Sequence, residues 1–160
     1  MKRAALIDVI VTLIVCMYLY ASSSKYFDFP AFQRAMHNQP FPSWFSTSLT
    51  WFIPPAEIAV TILLLFGKSR KTGFLASTVL MGLFTIYVAA ILLHLFPRVP
   101  CSCGGIIRLL TWNQHFLFNV FFLIISFIGW RLTLKPRLEN PGKNITDLKD
   151  HQNISRAKSG

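Results

Sequence analysis

Acid is what this chain has least of. Six of its 160 residues are Asp or Glu, against sixteen Lys or Arg, and charged residues make up 14% of the total. Soluble domains carry about 25% charged residues, so an ordinary water-soluble globule is excluded. No internal repeat is visible, and no methionine-rich or histidine-rich loop. The second absence argues against copper transport, which draws on soft thioether and imidazole ligands.

What is present is apolar, at 53% of residues. Most of it falls in four runs, at about residues 5–21, 44–66, 72–96 and 114–134. A run of about 20 apolar residues crosses the hydrocarbon core of a bilayer. Lipid tolerates only spanning helices or closed barrels, and these runs are too long and continuous for barrel strands. The expected fold is all-α, a bundle of four transmembrane helices in one domain over residues 1–134. Gly73, Ala76, Ser77, Gly82, Ala89 and Ala90 would let the third span pack closely against its neighbours.

The formal charge of +10 invites a nucleic-acid reading, but the cations do not form one soluble face. Lys2 and Arg3 precede the first run, Lys68, Arg70 and Lys71 fill the connection between the second and third, and Arg131, Lys135 and Arg137 close the fourth. The other two loops are poorer in cations for their length. This alternation is that of the positive-inside rule. Both termini are expected in the cytoplasm and the loop between spans three and four outside, with a lipid bilayer, not nucleic acid, as the surrounding partner. The first run has the basic start of a signal peptide, and Ala21-Ser22-Ser23 offers small residues, but it is longer than a usual signal core and is expected to be retained. Residues 135–160 are polar and aperiodic and are expected to form a disordered cytoplasmic tail.

Between the first two runs, Asp28 and Pro30 mark a helix start, and Phe29, Phe32 and Met36 recur at helical spacing through about Asn38. The expectation is an interfacial helix lying on the bilayer; the alternative is a lid over a pocket. The second run contains Pro54-Pro55, which bend a helix, and then Glu57. A carboxylate near the centre of a span costs roughly 2.5–3.5 kcal/mol on insertion scales. Glu57 must face the interior, be protonated or be paired, and Lys25 is the nearest cation on the outward side. A proton relay or quinone-pocket role stands beside a purely structural one. Asp8 reads as an interfacial residue, and Cys16 as a buried, inert thiol.

Chemistry is most concentrated at Cys101-Ser-Cys103-Gly-Gly, in the loop between the last two runs. A thiolate attacks a disulfide or reduces an acceptor, and a second thiol close by resolves the intermediate. Gly104 and Gly105 give the backbone the freedom that a close cysteine approach needs. A redox pair, a metal site and a static disulfide all remain open for Cys101 and Cys103. His94 and His115 flank the pair. Either can lower a thiol pKa or move a proton, and with two cysteines they would also suit zinc or copper. Trp112, Asn113, Gln114 and Asn119 open the fourth run. They read as an aromatic anchor with a helix cap, or, for Trp112 and Asn119, as the lining of a small-molecule cleft.

Three stretches now carry a resemblance: Lys25-Tyr-Phe-Asp-Phe-Pro-Ala-Phe, Pro54-Pro-Ala-Glu57, and Pro100-Cys-Ser-Cys-Gly-Gly through Leu110-Thr-Trp-Asn-Gln-His-Phe-Leu-Phe-Asn119. Together they resemble the methylamine utilisation protein MauE family, within the wider DoxX-like set of four-helix membrane proteins. The resemblance covers about residues 5–134. It departs from the family pattern at Gly105, where a bulky residue is usual.

The resemblance implies an integral protein of the bacterial inner membrane that assists disulfide formation or maturation of extracytoplasmic proteins, the namesake serving methylamine dehydrogenase in methylamine metabolism. Carried onto this chain, Cys101 and Cys103 are the expected redox centre. Glu57, His94, His115 and Asn119 are the expected proton-relay or cofactor group, with quinone as the candidate cofactor. The expected partner is an extracytoplasmic thioredoxin-like protein or a disulfide-containing substrate. Two rivals stand beside this thiol–disulfide oxidoreductase reading: a non-catalytic DoxX-like subunit of an oxidoreductase complex, and a copper or zinc delivery protein.

Overall fold

The computed structural model describes residues 2–95 and 111–134. They form α1 (Lys2–Phe27), α2 (Phe29–His37), α3 (Ser43–Leu65), α4 (Arg70–Leu92) and α5 (Trp112–Leu134), with no strand among the described residues. α1, α3, α4 and α5 are each long and apolar enough to cross a membrane. At 23 residues, α3, α4 and α5 each rise about 34 Å, against a hydrocarbon core of about 30 Å. The expected all-α, four-span fold is therefore observed. Cys101, Cys103 and the tail 135–160 lie outside the described residues.

α1 packs on α3, α3 on α4, α4 on α5, and α5 returns to α1, closing a four-helix ring, while α2 rests on α3 and touches α1. Upper denotes the end where α1 finishes, α3 begins, α4 finishes and α5 begins; lower denotes the opposite end.

Sequence-local chemistry sets the helix ends. At the start of α2, Asp28 Oδ1 accepts from the Ala31 backbone N–H at 3.3 Å, with Pro30 in the first turn. α5 opens with a reciprocal capping box: the Thr111 N–H donates to Gln114 Oε1 at 2.9 Å, and the Gln114 N–H to Thr111 Oγ1 at 3.5 Å. α4 stops earlier than residue 96. His94 takes a left-handed φ of 53°, its N–H donates to Ile91 O at 3.0 Å, and the Leu95 N–H donates to Ala90 O at 3.1 Å. These are the two bonds of a Schellman stop, in a position that favours glycine. α1 runs on past residue 21 because its serines do not break it; Ser24 Oγ donates back to Ala21 O at 2.9 Å.

The interior buries small and polar residues beside apolar ones. Leu6, Leu13, Ile62, Leu83, Ile86, Leu117 and Ile124 are exposed on the outer faces, while Ser22, Lys25, Ser46, Thr50, Glu57, Ser77, Asn119 and Ser126 are buried. Lipid tails are as apolar as leucine, so span association relies on close packing and interhelical hydrogen bonds. Of the small residues expected to permit close packing, Gly73 does so directly: a Cβ there would lie 2.9 Å from the α3 backbone at Leu63 and Leu64. Gly129 does the same for the Phe74 ring. Ile10, Ile14, Tyr18, Val60, Leu64, Phe74, Met81 and Phe122 fill the space between.

Two expectations change. α2 buries Phe32 and Met36 against Ile53 of α3 and packs on α3 and α1, so these two side chains of its apolar face serve the protein interior. Cys16 is exposed because its neighbours Val15 and Ile14, not Cys16, lie on the inward face of α1.

Candidate functional site

A carboxylate, an ammonium and a hydroxyl meet inside the bundle. Lys25 Nζ lies 2.7 Å from Glu57 Oε1, and Ser22 Oγ donates to Glu57 Oε2 at 3.0 Å. Lys25 is 7% exposed and Glu57 2%. The pairing follows from helix geometry. Side chains on a helix lean toward its N-terminus, so a lysine in the last turn of α1 points down into the bundle. Its ammonium also donates to Ala21 O at 3.4 Å, one turn below. The long stem closes the difference in depth between Lys25 and Glu57. Phe32 of α2 covers the ammonium, with the ring centroid 5.9 Å from Nζ.

Below this pair runs a hydroxyl chain that sequence reading missed. Tyr18 Oη lies 3.3 Å from Ser77 Oγ, and Ser77 Oγ lies 2.9 Å from Ser126 Oγ. Tyr18 also lies within electrostatic reach of Glu57. Three spans are thereby tied together by buried hydroxyls. The available signal is the isolation of each polar residue in an apolar run; by sequence Ser77 stands out only for its small size.

The buried stripe of α5 consists of Asn119, Phe122, Ser126 and Gly129. Two turns separate Ser126 from Asn119 on α5 and Tyr18 from Lys25 on α1, each about 10 Å of rise. Because Ser126 and Tyr18 are joined through Ser77, Asn119 stands near the level of Lys25. Asn119 is 5% exposed, and its Nδ2 has no hydrogen-bond partner among the described residues. His115, one turn above, extends the stripe. Its Nδ1 is buried and likewise without a partner among the described residues. The ring lies parallel to Trp112, at 6.4 Å and 5°, and within electrostatic reach of Lys25.

Of the expected site residues, Glu57 pairs with Lys25 inside the bundle, and His115 lies within electrostatic reach of Lys25, with Asn119 one turn below it on α5. His94 stands apart as the exposed stop of α4. Cys101 and Cys103 fall in the segment that joins the upper ends of α4 and α5 along the chain. At the lower end Arg70 Nη1 pairs with Asp8 Oδ1 at 2.7 Å, in keeping with an interfacial Asp8, and Arg3 donates to the carbonyl of Leu132.

The family model for methylamine utilisation protein MauE matches residues 3–132, the whole bundle. No curated protein matches the chain, and no solved structure does.

Proposed function

The chain belongs to the methylamine utilisation protein MauE family, a multi-pass membrane protein family, and from that premise we propose that it is a thiol–disulfide component of the bacterial inner membrane. Cys101 and Cys103 exchange with an extracytoplasmic thioredoxin-like protein or a maturing disulfide-containing substrate. The cations Arg3, Lys68, Arg70, Lys71 and Arg131 at the lower end support a cytoplasmic lower face, which puts the cysteine segment in the oxidising compartment, where disulfides form and persist.

The observation that carries the reading is that α5, which follows the cysteine segment directly in the chain, carries His115 and the buried Asn119 within its first eight residues, and that the bundle it belongs to buries the Lys25–Glu57 pair. Converting the Cys101 and Cys103 thiols to a disulfide releases two electrons and two protons, and the reverse step takes them up. The disulfide forms as the two S–H bonds break, so a membrane carrier must accept or supply both pairs. A quinone, when bound, supplies this chemistry: two electrons and two protons convert it to the quinol. His115 is the protein group suited to pass a proton. Glu57, with both oxygens engaged by Lys25 and Ser22, holds charge and position and does not serve as a free base.

The test is the redox state of Cys101 and Cys103 in membranes, in a Cys16→Ser background, by acid quenching and mass-tagging of free thiols. The expected result is a pair that shifts between oxidised and reduced when a reductant or a quinone analogue is added. A pair that stays oxidised under every condition overturns the reading in favour of a static staple in an accessory subunit.

A further inference from the structure

We infer that the outward face of α2 is a binding site for the phosphodiester of an anionic phospholipid headgroup, with Arg34 as its principal ligand and Gln33, His37 and Asn38 as further donors. The inference is independent of the thiol–disulfide reading.

α2 has two opposed faces. Phe32, Ala35 and Met36 are buried, while Pro30, Gln33, Arg34, His37 and Asn38 are exposed and recur at the spacing of the opposite face. A recess of about 330 Å³ lies against these exposed residues, at the low end of the range of about 300–1,000 Å³ found for ligand pockets. The rotation of α2 is fixed from its other side. Phe32 and Met36 pack on Ile53, the Phe29 ring lies 5.2 Å from that of Trp51, and the Tyr87 hydroxyl of α4 bonds the Gln39 side chain just past the helix. The polar face is therefore held outward.

The lining sets the charge of the ligand. Every polar side chain against the recess can donate a hydrogen bond, and none is acidic. Arg34 and His37 have no ion pair and no side-chain hydrogen bond among the described residues. Asp28 sits at the other end of α2, where its Oδ1 caps the helix, and Lys25 and Glu57 neutralise each other in the interior. The ligand is therefore an acceptor with negative charge, and the planar fork of a guanidinium matches two oxygens of a phosphate. Arg34 also suits the negative end of the α2 dipole, a role that moves stability and not ligand binding.

The level of α2 sets the source of the phosphate. Tyr26 and Phe27 directly precede α2, and Trp44 stands in the first turn of α3. Phe27 is 91% exposed and Trp44 70%. Tyrosine and tryptophan collect at the membrane–water interface, at the depth of the headgroups. A recess on the helix between them meets phosphodiester oxygens, and with no carboxylate in its lining it offers nothing to the cation of a zwitterionic headgroup.

The experiment uses the full chain in micelles of a neutral detergent, with phosphatidylglycerol as the probe. Native mass spectrometry counts the lipid retained during the titration, and thermal unfolding without lipid reads fold integrity. Saturable retention is expected, stronger for phosphatidylglycerol than for phosphatidylcholine. Arg34→Gln is expected to lower the affinity about tenfold, the size of one lost charge-assisted hydrogen bond, and His37→Gln to lower it less. Lys68→Gln, at the lower end, is expected to leave it unchanged. Retention that neither α2 variant weakens overturns the site, and so does an equal loss in Lys68→Gln, which marks a response to net charge alone. If one α2 variant does not fold, the other decides. Inorganic phosphate is the second probe: displacement of the lipid by an equal concentration of inorganic phosphate overturns the headgroup as the source. Unchanged lipid retention in Arg34→Gln beside slower exchange with a thioredoxin-like protein gives this face to a protein partner and overturns the lipid site.

Discussion

Lys25 and Glu57, 32 positions apart in the chain, form an ion pair of 2.7 Å inside the bundle, with Ser22 on the second carboxylate oxygen and Phe32 over the ammonium. A buried pair of this kind is worth little against a well-packed apolar replacement, but breaking it from one side strands a charge. Lys25→Met and Glu57→Leu alone are each expected to destabilise the protein by about 3–5 kcal/mol. The double variant is expected to recover most of that loss. Equilibrium unfolding in mixed micelles, arranged as a double-mutant cycle, measures the coupling; additive losses would sink the pairing.

Ser77 is the hub of the hydroxyl chain. Its removal in Ser77→Ala strips a partner from both Tyr18 and Ser126, whereas Tyr18→Phe removes the group that needed one. Interhelical hydrogen bonds in membranes average about 0.6 kcal/mol and reach about 1.7. Ser77→Ala is expected near the upper figure and Tyr18→Phe near the lower, by the same unfolding measurement.

Gly129 is a packing requirement. A Cβ added there would come within 2.2 Å of Phe74 Cε1, and Phe74 is fully buried. Gly129→Ala is expected to cost about 1–3 kcal/mol, as overpacking does. Phe74→Leu in the same chain is expected to relieve part of the clash, so the double variant should be more stable than the sum of the singles allows.

His94 separates stability from chemistry. At φ 53° a non-glycine residue carries strain of about 1–2 kcal/mol, so His94→Gly is expected to raise the unfolding midpoint. If the imidazole also serves the cysteines, the same substitution lowers the rate at which Cys101 and Cys103 exchange with a thioredoxin-like protein. A more stable variant with undiminished exchange assigns His94 to the helix stop alone.

The three cysteines are expected to behave differently. Cys101→Ser and Cys103→Ser should each abolish thiol exchange while the protein still inserts, and Cys16→Ser should be silent. Because Cys16 is exposed on a spanning helix, it should label with a lipid-soluble maleimide and resist a charged one. Rapid labelling of Cys16 by the charged reagent would contradict its placement against lipid.

Four spans and the α2 cap at Asp28 were legible in the sequence because each depends on residues within one turn or one run. Run length against bilayer thickness requires no knowledge of neighbours, and an N-cap is a contact across three residues. The sequence also singled out Glu57 as a residue needing a partner, since a lone carboxylate in lipid is costly wherever the helix packs.

Lys25 was the candidate partner for Glu57 by sequence, and the tertiary structure pairs the two; which face of each span is inside, only the tertiary structure decided. The spans are apolar all round, so no periodic stripe announces the interior, and a hydroxyl such as Ser126 reads the same whether it meets Ser77 or lipid. Cys16 and Val15 are adjacent and similar in polarity, yet one is exposed and the other buried, because the rotation of α1 is set by how Tyr18, Ser22 and Lys25 find α4 and α3. Asn119 shows the same limit from the other side: its type marked it as notable, but only the tertiary structure puts it on the buried stripe of α5, with no hydrogen-bond partner for its amide Nδ2 among the described residues.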